Sequence, residues 1–338
     1  MSDRITVTML GTSKSGKTTY LLGMYATLSA GQDGFFLHAD DPDLDLDLSE
    51  SWDALMDEGL LPPPTPNEPK TYPFVFKSGL TRLLDIDWLD YRGGAMTDRT
   101  TASDAERLVS RLAASDSIYL TLDGALLAQG VDERSFLTAR RHTKAERMTW
   151  FVQNAASKLG RVPSLVVLVT KFDLVAARCP DGAAAVESAI DAARDILPIA
   201  FETGVTALIC PVSLGDLGMP VAERVDPTSV APRWVHKPML FLDAGAQIQE
   251  QRELASRMAA GQSNLSETTY ELAQLKNGFF SIFRGAEMER KQGEAARTAE
   301  QIEAAHRNHE RAERQAARLA EQFADLPIFA DGERIAIA

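Results

Sequence analysis

The stretch ITVTMLGTSKSGKTTYLLGMYATL, residues 5–28, decides the fold. ITVTML reads as a strand and TTYLLGMYATL as the helix that follows it. Between them GTSKSGKT, residues 11–18, sets Gly11, four residues, then Gly16, Lys17 and Thr18, which is the phosphate-loop pattern. Glycine at 11 and 16 permits backbone conformations and close approaches that a side chain would block. Successive N–H groups then point inward and, with the helix N-terminus, cradle a β-phosphate. In this pattern Lys17 spans the β- and γ-phosphates, and the Thr18 hydroxyl ligates Mg²⁺. The expected phosphate-site residues are Gly11, Thr12, Ser13, Lys14, Ser15, Gly16, Lys17, Thr18 and Thr19.

From this unit outward to residue 245, short β-branched runs alternate with helical stretches. Strands are expected at 4–10, 35–39, 71–78, 81–89, 117–123, 164–170 and 205–212. Helices are expected at 17–30, 49–58, 101–114, 133–159, 183–197 and 234–248. Such alternation implies an α/β fold, a mostly parallel sheet with helices on both faces. LPPPTPNEP, 61–69, reads as a rigid extended loop, because proline locks φ and removes donors. DDPDLDLD, 40–47, reads as an acidic loop kept in water rather than a cation site.

The 338 residues carry a formal charge of −13, and this acidity argues against nucleic-acid binding. Cys179 and Cys210 are too few for a disulfide framework or a zinc cage, and neither has a recognisable base nearby. No signal peptide is read at the start, and no apolar run nears the roughly 18 residues of a membrane span. The expectation is a cytoplasmic protein.

Three later motifs, each leaving a strand end, narrow the nucleotide. Asp90-Tyr91-Arg92-Gly93 is a DxxG, whose Asp can hold Mg²⁺ through water and whose Gly93 amide can meet a γ-phosphate. Thr170-Lys171-Phe172-Asp173 is a [NT]KxD. The Asp173 carboxylate can accept from both N1–H and the N2 amine of guanine, which adenine does not offer, while the Lys171 stem lies over the base. Ser213 and Leu214 follow the last core strand, where a loop can set a backbone N–H on guanine O6.

With these motifs in order, the chain resembles the Ras-like and translation-factor (TRAFAC) class of P-loop GTPases. Within that class it is most similar to the bacterial double-GTPases of signalling and conflict gene clusters. The resemblance covers residues 4–245 and implies GTP/GDP and Mg²⁺ as cofactors. It also implies a switch threonine in the loop before the second long strand, for which Thr65 fits best and Thr71 is the rival. Lys17, Thr65 and Gly93 are then the expected catalytic groups, and Thr18, Thr65 and Asp90 the expected metal ligands. Where related small GTPases often carry a water-orienting glutamine after DxxG, this chain has Gly94. Slow hydrolysis, completed by a partner, is the implication.

Beyond residue 245 strand signals disappear. Ile302, Ala305, His309, Ala312, Ala316, Leu319 and Phe323 keep spacings of three and four, the seam of a coiled coil. Residues 246–325 are read as an antiparallel helical hairpin, with an apolar tip at Phe279–Phe283, and 326–338 as a C-terminal tail. The hairpin is the expected surface for a protein partner; its tip reads first as folding back onto the helices or the GTPase domain, second as docking a partner, with a membrane contact disfavoured. Two alternatives stand beside a GTP-operated switch: a dynamin-like membrane or scaffold GTPase with the hairpin as stalk, and a P-loop ATPase, which Asp173 opposes.

Overall fold

The strand ahead of the phosphate loop, β1 (Ile5–Leu10), lies in the interior of a nine-stranded sheet. The computed structural model describes residues 4–63, 69–91, 102–129, 133–160, 162–218, 220–221, 223–244, 296–297, 323 and 326–335. The remaining strands of this sheet are β2 (Phe35–Ala39), β3 (Lys70–Ser78), β4 (Thr81–Asp90), β5 (Ser117–Asp123), β6 (Ser164–Thr170), β7 (Thr206–Pro211), β10 (Ile328–Ala330) and β11 (Glu333–Ile335). Their order is β11-β10-β7-β6-β5-β1-β4-β3-β2. β4, β1, β5, β6 and β7 pair in parallel, and an antiparallel pair extends each edge. A small second sheet joins β8 (Ser213–Gly215) to β9 (Val230–Arg233).

The central strands are β-branched and apolar at successive positions because both faces are covered. In β6 every residue from Leu165 to Val169 is fully buried. On one face Leu165, Val167 and Val169 meet α3 (Ala102–Ala113), α6 (Ala145–Leu159) and α8 (Gly182–Ile196). By the two-residue period of a strand, Val166 and Leu168 turn to the opposite face. There, in neighbouring β5, the Tyr119 hydroxyl donates to the carbonyl of Pro238, in the helical residues 237–244, at 2.7 Å.

Several boundaries differ from the sequence expectation, each for a local reason. Residues 42–47 are not a solvated loop: α2 (Pro42–Glu58) starts at Pro42, directly after Asp41. Asp41 caps the helix by accepting from the Asp43 N–H at 3.0 Å, and proline suits the first helical position. Leu44, Leu48 and Leu55 are buried, and the Asp45 carboxylate accepts a hydrogen bond from Tyr25 of α1 (Lys17–Ser29). The single helix expected at 133–159 is two, α5 (Glu133–Thr143) and α6, broken at Lys144, whose φ is +57°. Thr143 donates back to the Ala139 carbonyl at 2.9 Å, closing α5 at that point. Two further helices, α4 (Gly124–Leu127) and α7 (Phe172–Ala176), are too short to show a period.

The strand signal does not end at residue 245. Residues 328–335, placed by sequence in a tail, form a hairpin on the sheet edge, with Asp331 (φ +54°) and Gly332 (φ +80°) as its turn. Phe323, placed in the coiled-coil seam, is buried, with its ring 6.3 Å from that of Phe241. By compactness the chain divides into residues 1–242 with 323–336, and residues 243–322 with 337–338. Apart from residues 296–297 and 323, the expected hairpin, its Phe279–Phe283 tip included, lies outside the described residues.

Phe329 of β10 is 2% exposed, packs edge-to-face on Phe201 at 4.8 Å, and lies under the Arg194 guanidinium. Phe329→Ala is expected to lower unfolding free energy by about 3–5 kcal/mol, the cost of emptying an aromatic core site. Urea unfolding measures this, and a loss below about 1 kcal/mol would contradict the placement of β10.

Candidate nucleotide-binding site

The loop at 11–18 leaves β1 and enters α1, as the sequence pattern requires. Gly16 is the N-cap of α1, with φ +84°, and Lys14 has φ +65°. No side chain caps this helix and its first turn holds no acid, which keeps positive potential at its N-terminus. A Cβ on Gly11 would stand 1.7 Å from Thr121 Oγ1. Thr121 Oγ1 lies 2.8 Å from Ser15 Oγ and 3.1 Å from the Leu10 carbonyl, and Thr170 Oγ1 donates to the Ser15 carbonyl at 2.7 Å. Hydroxyls at the ends of β5 and β6 thus pin the loop from below.

Lys17 is 5% exposed and donates from Nζ to the carbonyls of Gly11 at 3.1 Å and Thr12 at 3.0 Å. Burial lowers its pKa, and the negative charge of Asp90 opposes that shift. Thr12 and Ser15 are buried, Ser13 and Lys14 exposed, Thr18 and Thr19 half-buried on the first turn of α1. Asp90 is fully buried at the end of β4, in register with Met9 of β1. Thr18 and Asp90 offer a hydroxyl and a carboxylate, hard oxygen donors of the kind Mg²⁺ takes beside phosphate oxygens. Thr65 and Gly93 lie outside the described residues, as do Arg92 and Gly94. Thr71, the rival switch threonine, is an exposed residue of β3 in register with Leu89.

At the neighbouring strand ends, Lys171 adopts φ +50° and begins α7. Its Nζ donates to the Lys14 carbonyl at 3.0 Å and pairs with Asp123 Oδ2 at 2.7 Å. Asp173 follows two residues later, half-buried, its pKa raised by burial against the lowering effect of hydrogen bonds led by the Gly218 N–H. That N–H donates to Asp173 Oδ2 at 3.3 Å. Ser213 and Leu214 are buried in β8. Gly23 of α1 allows Leu214 to pack closely, since a Cβ there would meet Leu214 Cδ2 at 2.2 Å.

These groups share one cavity of about 90 Å³, whose lining includes Gly16, Thr19, Lys171, Asp173, Ser213 and Leu214. The loop at 11–18 and the motif at 170–173, 155 residues apart between Ser15 and Thr170, therefore open into the same space. Sequence reasoning missed Thr121 and Asp123, which hold the loop and Lys171. The signal was present in SIYLTLD, where two polar residues close an apolar strand at its carboxyl end.

Gly11→Ala forces a methyl into Thr121. The substitution is expected to cost about 1–3 kcal/mol of stability as overpacking and to abolish GTP binding. The double variant Gly11→Ala/Thr121→Gly should recover much of the stability. Thermal unfolding with fluorescent-GTP titration checks both, and a Gly11→Ala protein as stable as the parent would refute the close approach.

A protein-family model described as Double-GTPase 2 matches residues 5–207, which include the loop at 11–18, Asp90 and the motif at 170–173. No curated protein matches the chain. Because that match spans more than half of the 338 residues, the chain belongs to the double-GTPase family of P-loop GTPases.

Proposed function

We propose that this chain is a GTP-operated switch that reads guanine through Asp173, holds the phosphates on the loop at 11–18, and turns over slowly until a partner engages it. One observation carries the reading: Lys171 bonds the Lys14 carbonyl of the phosphate loop while Asp173, two residues on, lines the same cavity as Gly16 and Thr19. Family membership brings guanine-nucleotide binding.

In this reading, backbone N–H groups of residues 12–18 take the β-phosphate, with the α1 N-terminus adding its partial positive charge. Lys17 exchanges the Gly11 and Thr12 carbonyls for β- and γ-phosphate oxygens, and that negative charge offsets the cost of its burial. Thr18, Thr65 and Asp90 would hold Mg²⁺, which neutralises charge between the β- and γ-phosphates when bound. Gly93 presents its amide to the γ-phosphate. Gly94 offers no group to orient the attacking water, so hydrolysis by the isolated chain is slow.

The hairpin at 246–325 and its Phe279–Phe283 tip form the partner surface, in a bacterial signalling or conflict setting. Single-turnover hydrolysis with and without cell extract reads this part. A residue supplied in trans can accelerate phosphoryl transfer ~10³–10⁵-fold, and fast hydrolysis by the pure chain would contradict it.

The base-reading claim has a direct test. Asp173→Asn replaces a carboxylate that accepts twice with an amide that accepts once and donates once. GTP affinity should fall about ten- to a hundredfold, the worth of a charge-assisted hydrogen bond, while xanthosine triphosphate should bind better than to the parent. Unchanged GTP affinity in this variant would sink the assignment.

A further inference from the structure

The cavity holding Asp173 has two unlike sides. Lys171, Asp173 and Ser213 supply polar groups, whereas Leu61, Leu217, Pro220 and Val225 supply an apolar wall. A purine nucleoside has the same division, with a hydrogen-bonding edge and two apolar faces. Leu61 comes from a segment far away in sequence, directly after α2, and its position is fixed by main-chain bonds.

Gly59 is the C-cap of α2 with φ +68°, and the N–H groups of Gly59 and Leu60 donate to the carbonyls of Leu55 at 3.0 Å and Ala54 at 3.2 Å. The chain then pairs with residues 223–225. The Val225 N–H donates to the Gly59 carbonyl at 2.9 Å, the Leu61 N–H donates to the Glu223 carbonyl at 3.1 Å, and Leu60 bridges Arg224 in antiparallel fashion. Arg224 Nη1 adds a bond to the Glu58 carbonyl at 2.9 Å. A Cβ on Gly59 would stand 1.9 Å from the Val225 carbonyl oxygen, so only glycine admits this pairing. Five residues before Glu223, the Gly218 N–H bonds the Asp173 carboxylate.

We propose that Leu61, held by the pairing of residues 59–61 with 223–225, is the nucleoside-retaining wall of the guanine pocket and sets the release rate of GDP and GTP alike. The proposal rests on the guanine reading of this cavity. The wall touches the nucleoside rather than the phosphates, so it does not distinguish the two nucleotides. Its attachment to the end of α2 makes retention depend on a helix that carries none of the motif residues.

The test is stopped-flow release of fluorescent GDP and GTP from the full chain, with far-UV circular dichroism on each variant. Leu61→Ala removes most of an apolar contact and should speed release of both nucleotides about tenfold. Leu61→Met should keep release near the parent rate, and Gly59→Ala, which prises the two segments apart, should match Leu61→Ala. Acceleration of GTP alone would place Leu61 at the phosphates and overturn the proposal. Unchanged release in both Leu61→Ala and Gly59→Ala, with GTP binding still weakened by Asp173→Asn, would overturn the wall while leaving the pocket reading intact. A parent indifferent to Asp173→Asn would overturn the pocket reading beneath it.

Discussion

The site depends on the absence of a side chain at Gly11. The backbone there passes so close to Thr121 that one methyl group would overlap its hydroxyl. That approach lets Thr121 meet Ser15 and lets Thr170 meet the Ser15 carbonyl, so two strands of the parallel sheet support the loop directly. The loop's curvature follows from this support and from the left-handed residues Lys14 and Gly16. Support by strand ends rather than by another loop matters for precision, because the neighbouring strand β6 is fully buried from Leu165 to Val169. Lys171 extends the same scheme: one ammonium ties the loop at Lys14 to Asp123, and its backbone starts the turn that presents Asp173.

Electrostatics then separates the loop at 11–18 from the motif at 170–173. At the loop, the buried Lys17 and the N-terminus of α1 supply positive potential that the protein balances with carbonyl oxygens and the buried Asp90. Asp173 sits half-buried with its pKa raised by lost solvation. A raised pKa means that the ionised form is held at a cost, which a ligand donating two hydrogen bonds would offset. The acids of α2 lie apart from these groups in sequence and also serve packing, since Asp45 accepts a hydrogen bond from Tyr25.

The parallel core was legible because doubly covered strands are long apolar runs, and SLVVLV announces itself. The site motifs were legible because phosphate and guanine chemistry demand fixed residues at fixed spacings. Shorter elements escaped for physical reasons. IFA and ERI are three residues each, below the length at which alternation shows, although the Asp331-Gly332 turn between them was a usable hairpin signal. Asp41-Pro42 was a helix start that the density of acids disguised as a solvated loop. Nothing local marks Leu61 as a pocket residue, because its place is set by pairing with residues about 160 positions later in the chain. Lys144 illustrates the remaining kind of miss, a single left-handed residue splitting a helical pattern that is otherwise continuous.

The central claim is that the Asp173 carboxylate reads the guanine edge in the cavity it shares with the phosphate loop. Competition for bound fluorescent GTP by unlabelled GTP, inosine triphosphate and ATP tests it most directly, since these ligands keep the triphosphate and differ at the base. Inosine retains N1–H but lacks the 2-amino group, so it should compete about ten- to a hundredfold more weakly than GTP. ATP, which offers neither donor, should compete more weakly still. ATP displacing the probe as effectively as GTP would contradict the account.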